Sequence, residues 1–387
     1  MGKIAGLKPS SNNSSLTDSA IQMLKCIGIK KPNSLHSFGS SNKEDFASFG
    51  PFIVVLDGHI YNTEDFPSSS KEQTDSERIL ESLQKISLRE TLAKINGDFA
   101  IAIFNKQTEC LTLARDRFGI KPLYYSSTEG NTGFASSIQS LLYLSFVSKS
   151  INPSFLKTAA ALNYRFLDAD PTRSPFSDII QVAGGSAVEF TNNSIRTYSF
   201  FNWESKEKNQ TGLIHHTDYI DLFRDAVARR LKKTSTPMFT LSGGLDSSAV
   251  VAMAHRITGV PQPAISSIHN GEAFDEEKEI MDIVNSGIVD WEPISIDDPD
   301  IFDLLEQASA VHEYPIPTAT WLNHFILTEK VKNLGYTSLF TGLGGDELNA
   351  GEYDYFYYFF ADLKYQKKDA LLKHEIETWI KNHDHPI

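Results

Sequence analysis

Cysteine is scarce in this chain: Cys26 and Cys110 are the only two among 387 residues. Two thiols make no disulfide framework, which points to a reducing compartment. Positive charge is also short, with 36 Lys and Arg against 49 Asp and Glu and a formal net charge of -13. That balance excludes a broad nucleic-acid or anionic-membrane surface, although a small anion needs only local dipoles. No uninterrupted apolar run is long enough to span a bilayer. The start, Met1-Gly2-Lys3-Ile4-Ala5-Gly6, lacks the apolar core of a signal peptide. Gly2 begins as a myristoylation signal does, but Gly6 stands where Ser or Thr is needed. No internal repeat is visible. These absences leave a cytoplasmic enzyme as the expectation, with no nucleic-acid and no membrane partner.

What is present is an ordinary globular composition, 41% hydrophobic and 22% charged, with length enough for two domains. Residues 8–19 are polar and turn-rich, and read as an exposed loop after a first short strand. Residues 52–56 read as a strand that ends at the turn signal Asp57-Gly58. Residues 76–86 have helical spacing, with Thr74 or Asp75 able to cap them. A hairpin is expected from 99–105 and 110–115, and 123–126 adds a strand. Short strands at this density predict a layered β-rich domain with helices, residues 1–205. Residues 202–218 are polar, without apolar periodicity, and read as a linker. From 215 to 387 the pattern becomes helix, strand, loop, helix, an α/β domain with a parallel sheet.

The most informative stretch is Thr240-Leu241-Ser242-Gly243-Gly244-Leu245-Asp246-Ser247-Ser248. A short buried strand precedes it and a packed helix follows. The loop therefore lies over a helix N-terminus, with free N–H groups and the positive dipole end aimed at a ligand. Gly243 and Gly244 let the backbone approach a phosphate, and Ser242, Ser247 and Ser248 add hydroxyl donors. Asp246 would repel a bare phosphate, and makes sense if it holds a magnesium ion that the phosphates share. No Lys follows the glycines, so this is not the Walker A loop. A second strand, 338–341, runs into Gly342-Leu343-Gly344-Gly345-Asp346-Glu347-Leu348, again glycines and then an acid pair. Open α/β sheets bind their ligands at that strand edge.

The first run resembles the pyrophosphate loop of the AMP-forming ATP pyrophosphatases, in the spelling of the asparagine synthetase family. The second resembles that family's SGxGGDEL segment. Upstream, Asn96-Gly97-Asp98-Phe99-Ala100 and Ala114-Arg115-Asp116-Arg117-Phe118-Gly119-Ile120-Lys121-Pro122-Leu123-Tyr124-Tyr125 are similar to its class II glutaminase domain. These residues read as scaffold, a strand end with buried Arg/Asp pairing and a Pro-bounded turn. The resemblance implies an N-terminal-nucleophile (Ntn) type αββα domain, followed by a PP-loop, adenine nucleotide α hydrolase-like, parallel-sheet domain. It also implies that Asp346 partners Asp246 on Mg2+, with Glu347 beside them. The nucleotide-binding set would be Leu241, Ser242, Gly243, Gly244, Asp246, Ser247, Ser248 and Gly342. Ser267 and Ile268 would flank the adenine, although Ser266 and His269 depart from the family's Phe and Gly.

The departures matter more. The family's glutaminase uses an N-terminal Cys whose own amine serves as base. Gly2 stands there, and neither Cys26 nor Cys110 owns a free amine. The oxyanion-donating Asn is replaced by Asp57, an acceptor that opposes the charge to be stabilised. Gly58 is kept, His59 replaces the family's Glu, and the substrate-gripping Arg is not visible around residues 36–41. Asp75 still matches the glutamine-binding Asp. A remnant of Asp57, Gly58 and Asp75 is therefore expected, with no glutamine hydrolysis.

The implied reaction is attack of a carboxylate, aspartate above all, on the α-phosphate of ATP. An acyl-adenylate and pyrophosphate form, and ammonia or an amine then displaces AMP. Leu343 stands where some members carry a proposed Glu base. Two alternatives stay open: a β-lactam or macrolactam synthetase-like cyclase, for which Glu313-Tyr314 is the nearby Tyr/Glu pair, and an inactive nucleotide-binding pseudo-enzyme. The 313–318 segment weakly resembles the family's acyl-pocket segment. Residues 353–360, an aromatic run, read as helix core. His215, His216 and His312 read as solvated or capping residues rather than metal ligands. The family's synthetase domain continues past the point where this sequence stops. A truncated or split synthetase is thus expected, working as a homodimer or with a separate C-terminal polypeptide.

Overall fold

The computed structural model describes residues 3–10, 14–28, 38–41, 45–67, 70, 72–162, 170–202, 216–269, 275–296 and 300–383. Position 2, most of the 202–218 linker and His215 lie outside these residues, and so do the first two positions of 36–41. The chain divides into two compact units, Met1–Asp218 with Asp300–His324, and Tyr219–Pro299 with Phe325–Ile387. Residues 300–324 thus join the first unit, although the sequence places them inside the α/β half.

The first unit holds two antiparallel sheets. Its strands are β1 (Ile4–Lys8), β2 (Gly39–Ser40), β3 (Phe46–Phe49), β4 (Phe52–Ile60), β5 (Gly97–Asn105), β6 (Cys110–Arg115), β7 (Tyr124–Thr128), β8 (Asn131–Ala135), β9 (Ile180–Gln181), β10 (Ser186–Phe190) and β11 (Ile195–Ser199). One sheet runs β2-β1-β8-β7-β9 and the other β11-β10-β6-β5-β4-β3. Alternation along β4 shows why both faces are covered. Ile53 and Val55 join the layer between the sheets, with Phe38, Phe104 and Phe134. Val54 and Leu56 face Ile79, Leu80 and Leu92 of the helices Asp75–Ser82 and Leu88–Lys94. On the far side Met23 and Leu24 of helix Ser14–Cys26 pack with Leu141, Phe155 and Tyr314. The result is an αββα sandwich, as the Ntn-type expectation requires.

Local chemistry sets several boundaries. Thr74 closes a full capping box with Glu77, fixing the start of helix Asp75–Ser82. Two expectations fail here. Asp57-Gly58 is not a turn: β4 runs straight through to Ile60, paired with β5. Gly58 permits this because its φ of 129° and its close approach to the Asp98 carbonyl leave no room for a Cβ. Residues 8–19 are not all loop either, because a helix begins at Ser14, and burial of Ala20, Met23 and Leu24 overrides the polar composition ahead of them.

The second unit is a four-stranded parallel sheet ordered β14-β13-β12-β15, with β12 (Pro237–Thr240), β13 (Gln262–Ile268), β14 (Val289–Ser295) and β15 (Ser338–Phe340). One face packs Phe239, Val251, Ala254, Ala264 and Ile280. The other packs Met238, Ile265, Leu327 and Val331. From β12 the chain steps one way to β13 and β14, then returns to place β15 on β12's other side. Strand order therefore reverses between β12 and β15. The crevice at their carboxyl ends is where such sheets hold ligands.

Candidate active site

The two glycine-rich loops leave β12 and β15, one on each side of that reversal. The first enters helix Leu245–Thr258 with Gly244 as its N-cap, and the second enters the short helix Gly345–Asn349. Their approach depends on missing side chains. A Cβ at Gly342 would collide with Ser247 N and Asp246 Cβ, and one at Gly345 would collide with the Asp246 carboxylate. Asp246 and Asp346 thus come together as expected from the sequence, with Glu347 beside them. The Asp346 backbone N–H lies close enough to the Asp246 carboxylate to favour its charged form. Burial, and then the like charges of Asp346 and Glu347, push Asp246 above the ordinary carboxylate range.

The first loop is internally knit. Leu241, buried just after β12, donates its N–H to the Ile265 carbonyl at 2.9 Å. The Ser242 N–H donates to Ser247 Oγ at 3.0 Å, and the two hydroxyls lie 2.8 Å apart. The Gly244 N–H donates to Ser242 Oγ at 3.2 Å, and Ser248 Oγ donates to the Gly244 carbonyl at 2.8 Å. Ser267 and Ile268 end β13 one strand away. Ser266, which replaces the family's Phe, is buried. Its hydroxyl donates to the Leu241 carbonyl and accepts the Trp291 Nε1–H at 2.9 Å. That brace on the loop's root was not foreseen. Neither were Glu276 and Glu279, whose Cβ atoms lie 3.3 and 2.6 Å from where Gly243 would carry a Cβ. The bare face of Gly243 is therefore filled by those stems. Leu245 and Leu343 stand 82% and 72% exposed on the two loops, so Leu343 offers no base.

Asp57, in the first unit, is buried in β4. Lys121 Nζ lies 3.0 Å from its Oδ1, and Ser136 Oγ donates to its Oδ2 at 3.2 Å. Oδ1 receives the ammonium charge without a well-aligned hydrogen bond. Ser136 Oγ also accepts the Ile4 N–H at 3.1 Å, which ties Asp57 to the start of β1. Nearby Asp45 is pushed up to about 6, first by burial and then by Asp57. Asp75 accepts the Ile60 N–H at 2.9 Å, and His59 Nδ1 lies 4.0 Å from it. The expected Arg115/Asp116 pairing is replaced by two separate backbone clamps. Arg115 donates to the carbonyls of Gly119, Lys121 and Val182. Asp116 accepts from the N–H groups of Phe99, Phe118, Ile120 and Lys121. Both hold the turn that delivers Lys121 to Asp57, a partnership that no spacing in the sequence announces.

Comparison with known proteins matches each half of the chain to a family. Residues 44–201 match the glutamine amidotransferase domain family, and residues 218–382 match the asparagine synthase family. The chain belongs to the asparagine synthetase family. Among its relatives in that family is asparagine synthetase [glutamine-hydrolyzing] 3 of Bacillus subtilis, 28% identical over 52% of this chain and 34% of the relative. Asparagine synthetase [glutamine-hydrolyzing] 2 of the same organism is 30% identical over 53% of this chain and 29% of its own length. An amidase, chyE, of Penicillium rubens is 26% identical over 68% of this chain and 41% of its own length. The chain thus spans well under half the length of each of these three.

Other expected residues have quieter roles. Tyr314 is buried, with its hydroxyl donating to Gln181 Oε1 at 3.2 Å and its ring against Phe155 and Tyr124. The Glu313 carboxylate accepts from Ser137 Oγ and the Ile138 N–H, capping helix Ile138–Leu141. His312 packs edge-on against Trp321. The aromatic run forms helix Tyr353–Tyr365, but core is the wrong description for most of it. Only Phe360 of the run is buried, while Tyr358 is 73% exposed, because consecutive aromatics must point all round a helix. No described helix is long and apolar enough to cross a membrane.

Proposed function

We propose that the second unit binds MgATP at the crevice between β12 and β15, and that the protein joins a carboxylate to ammonia or an amine. AMP and pyrophosphate would be released through an acyl-adenylate, with aspartate the first acyl substrate to try. One observation carries this reading: two separate glycine-rich loops converge at the strand-order reversal and press Asp246 against Asp346 and Glu347 over a helix N-terminus. The residues fit the ion. Asp246 and Asp346 offer hard carboxylate oxygens within electrostatic reach of each other. Magnesium prefers that arrangement, because one or two carboxylates leave room for phosphate oxygens and water. Asp246 and Asp346 would hold it, and when bound it would neutralise charge on the leaving pyrophosphate.

The chain's own residues supply position and dipole. The first-turn N–H groups at Leu245, Asp246 and Ser247 face the crevice end of helix Leu245–Thr258, where an anion is favoured. Ser266 and Trp291 stiffen the strand that carries them. The lactam-cyclase reading loses its Tyr/Glu pair, since Tyr314 and Glu313 are consumed in packing the first unit. The Asp57–Lys121 pair supports the view that glutamine is not hydrolysed, so free ammonia or another amine is the nitrogen source. ATP–pyrophosphate exchange with aspartate tests the proposal. Exchange in the wild type that Asp246→Ala abolishes is the expected result. Absence of exchange with every carboxylate tried, by a folded protein, would overturn it.

A further inference from the structure

Three backbone donors of the first loop are already taken, and one of them by an unexpected partner. Ser242 and Gly244 give their N–H groups to hydroxyls of the loop itself. Gly243 instead donates to Glu276 Oε2 at 3.0 Å, a carboxylate reaching in from another element. Glu276 precedes helix Glu277–Asn285 and is exposed, while its backbone carbonyl is fixed by the Ile280 N–H at 3.0 Å and Ile280 itself is buried. Its side chain can therefore turn away without disturbing the helix. Glu279 packs its stem against the same bare face of Gly243. A carboxylate on a loop N–H is an anion bound at an anion site.

Building on the nucleotide reading above, we infer that Glu276 is a positioning residue competing with the pyrophosphate group for the Gly243 N–H. It occupies that donor when no nucleotide is bound and yields it when phosphates arrive. The ligands it opposes are those with linked phosphates, ATP and inorganic pyrophosphate. AMP has no such group and is indifferent to it. The competition keeps the loop in shape while the site is empty and weakens retention of the pyrophosphate product.

The test is calorimetric titration of the full chain with magnesium pyrophosphate, ATP and AMP, comparing the wild type with Glu276→Gln, Glu276→Ala and Asp246→Ala. Removing one charge a few ångströms from a multiply charged anion should tighten pyrophosphate and ATP binding by about tenfold in Glu276→Gln. AMP binding should not change, and the gain should shrink as salt is raised. If Glu276 merely shapes the loop, Glu276→Gln keeps an acceptor and leaves pyrophosphate binding as it was, while Glu276→Ala weakens it. Either result overturns the competition while leaving the nucleotide reading intact. If neither the wild type nor the Glu276 variants bind ATP or pyrophosphate, the reading of the site falls, and the competition with it.

Discussion

Asp57 in the first unit is a buried carboxylate and Asp246 in the second is a partly exposed one, and their neighbours differ in sign. Asp57 has the Lys121 ammonium at 3.0 Å and the Ser136 hydroxyl on its other oxygen. Asp246 has Asp346 and Glu347, and is pushed up first by burial and then by those like charges. In the first unit the counter-charge comes from within the protein, so nothing further is called for. In the second, on the nucleotide reading proposed above, it would come from a bound magnesium ion. A site that has been filled and one kept open can thus be told apart by the source of the neutralising charge. The departures at Gly2, Asp57 and His59 point to that distinction in the sequence, but not to Lys121 as the partner of Asp57.

The sharpest way to break the comparison is to remove the inner counter-charge. Lys121→Met should leave Asp57 buried and uncompensated, at a cost of about 3–5 kcal/mol in urea unfolding. Adding Asp57→Asn should recover most of that loss, and a double variant no better than Lys121→Met would show the pair is not what stabilises the turn. Next in size, Asp246→Ala should lower ATP–pyrophosphate exchange by about 100-fold or more, near 3 kcal/mol of transition-state stabilisation, without lowering the unfolding midpoint. Asp45 gives the pH dependence. Its folded value, about 6, lies above the ordinary carboxylate value, so the native state holds the extra proton and stability falls as pH rises through that window. Asp45→Asn should therefore stabilise the protein by about 1 kcal/mol at pH 8, after allowance for solvent screening, and by nothing near pH 4. The smallest effect has the opposite sign to Lys121→Met. Asp346→Asn should stabilise the nucleotide-free protein by about 0.5 kcal/mol by relieving repulsion, while abolishing exchange. A destabilised Asp346→Asn would mean that the second unit, too, carries an internal counter-charge.

Much of this was legible in the sequence wherever the signal is local. Glycines followed by an acid, after a short apolar run, marked both loops, and Thr74 or Asp75 marked a helix start. What was not legible depends on partners far apart in the chain. Lys121 finds Asp57 only because Arg115 and Asp116 clamp the turn between 115 and 121, and those clamps use backbone groups that no sequence pattern displays. Asp57-Gly58 has the spelling of a turn, but pairing with β5 along its whole length overrides that preference. The run at 353–360 is aromatic at every position but Asp354, so its composition cannot say which side is buried. Glu276 reaches Gly243 across 33 residues, and its acidic side chain is the last that an anion loop would suggest.

Tyr314 has a consequence for how the chain is made. The first unit is complete only when residues 300–324 arrive, yet residues 219–299 of the second unit leave the ribosome before them. Until then the pocket beside Tyr124 and Phe155 waits for its aromatic plug, and the Ser137 end of helix Ile138–Leu141 waits for its carboxylate. Domain-by-domain folding during synthesis is therefore not open to this protein in its simple form. A shortened chain ending at residue 205 would stay in that unfinished state permanently, with the ring faces of Tyr124 and Phe155 left without Tyr314.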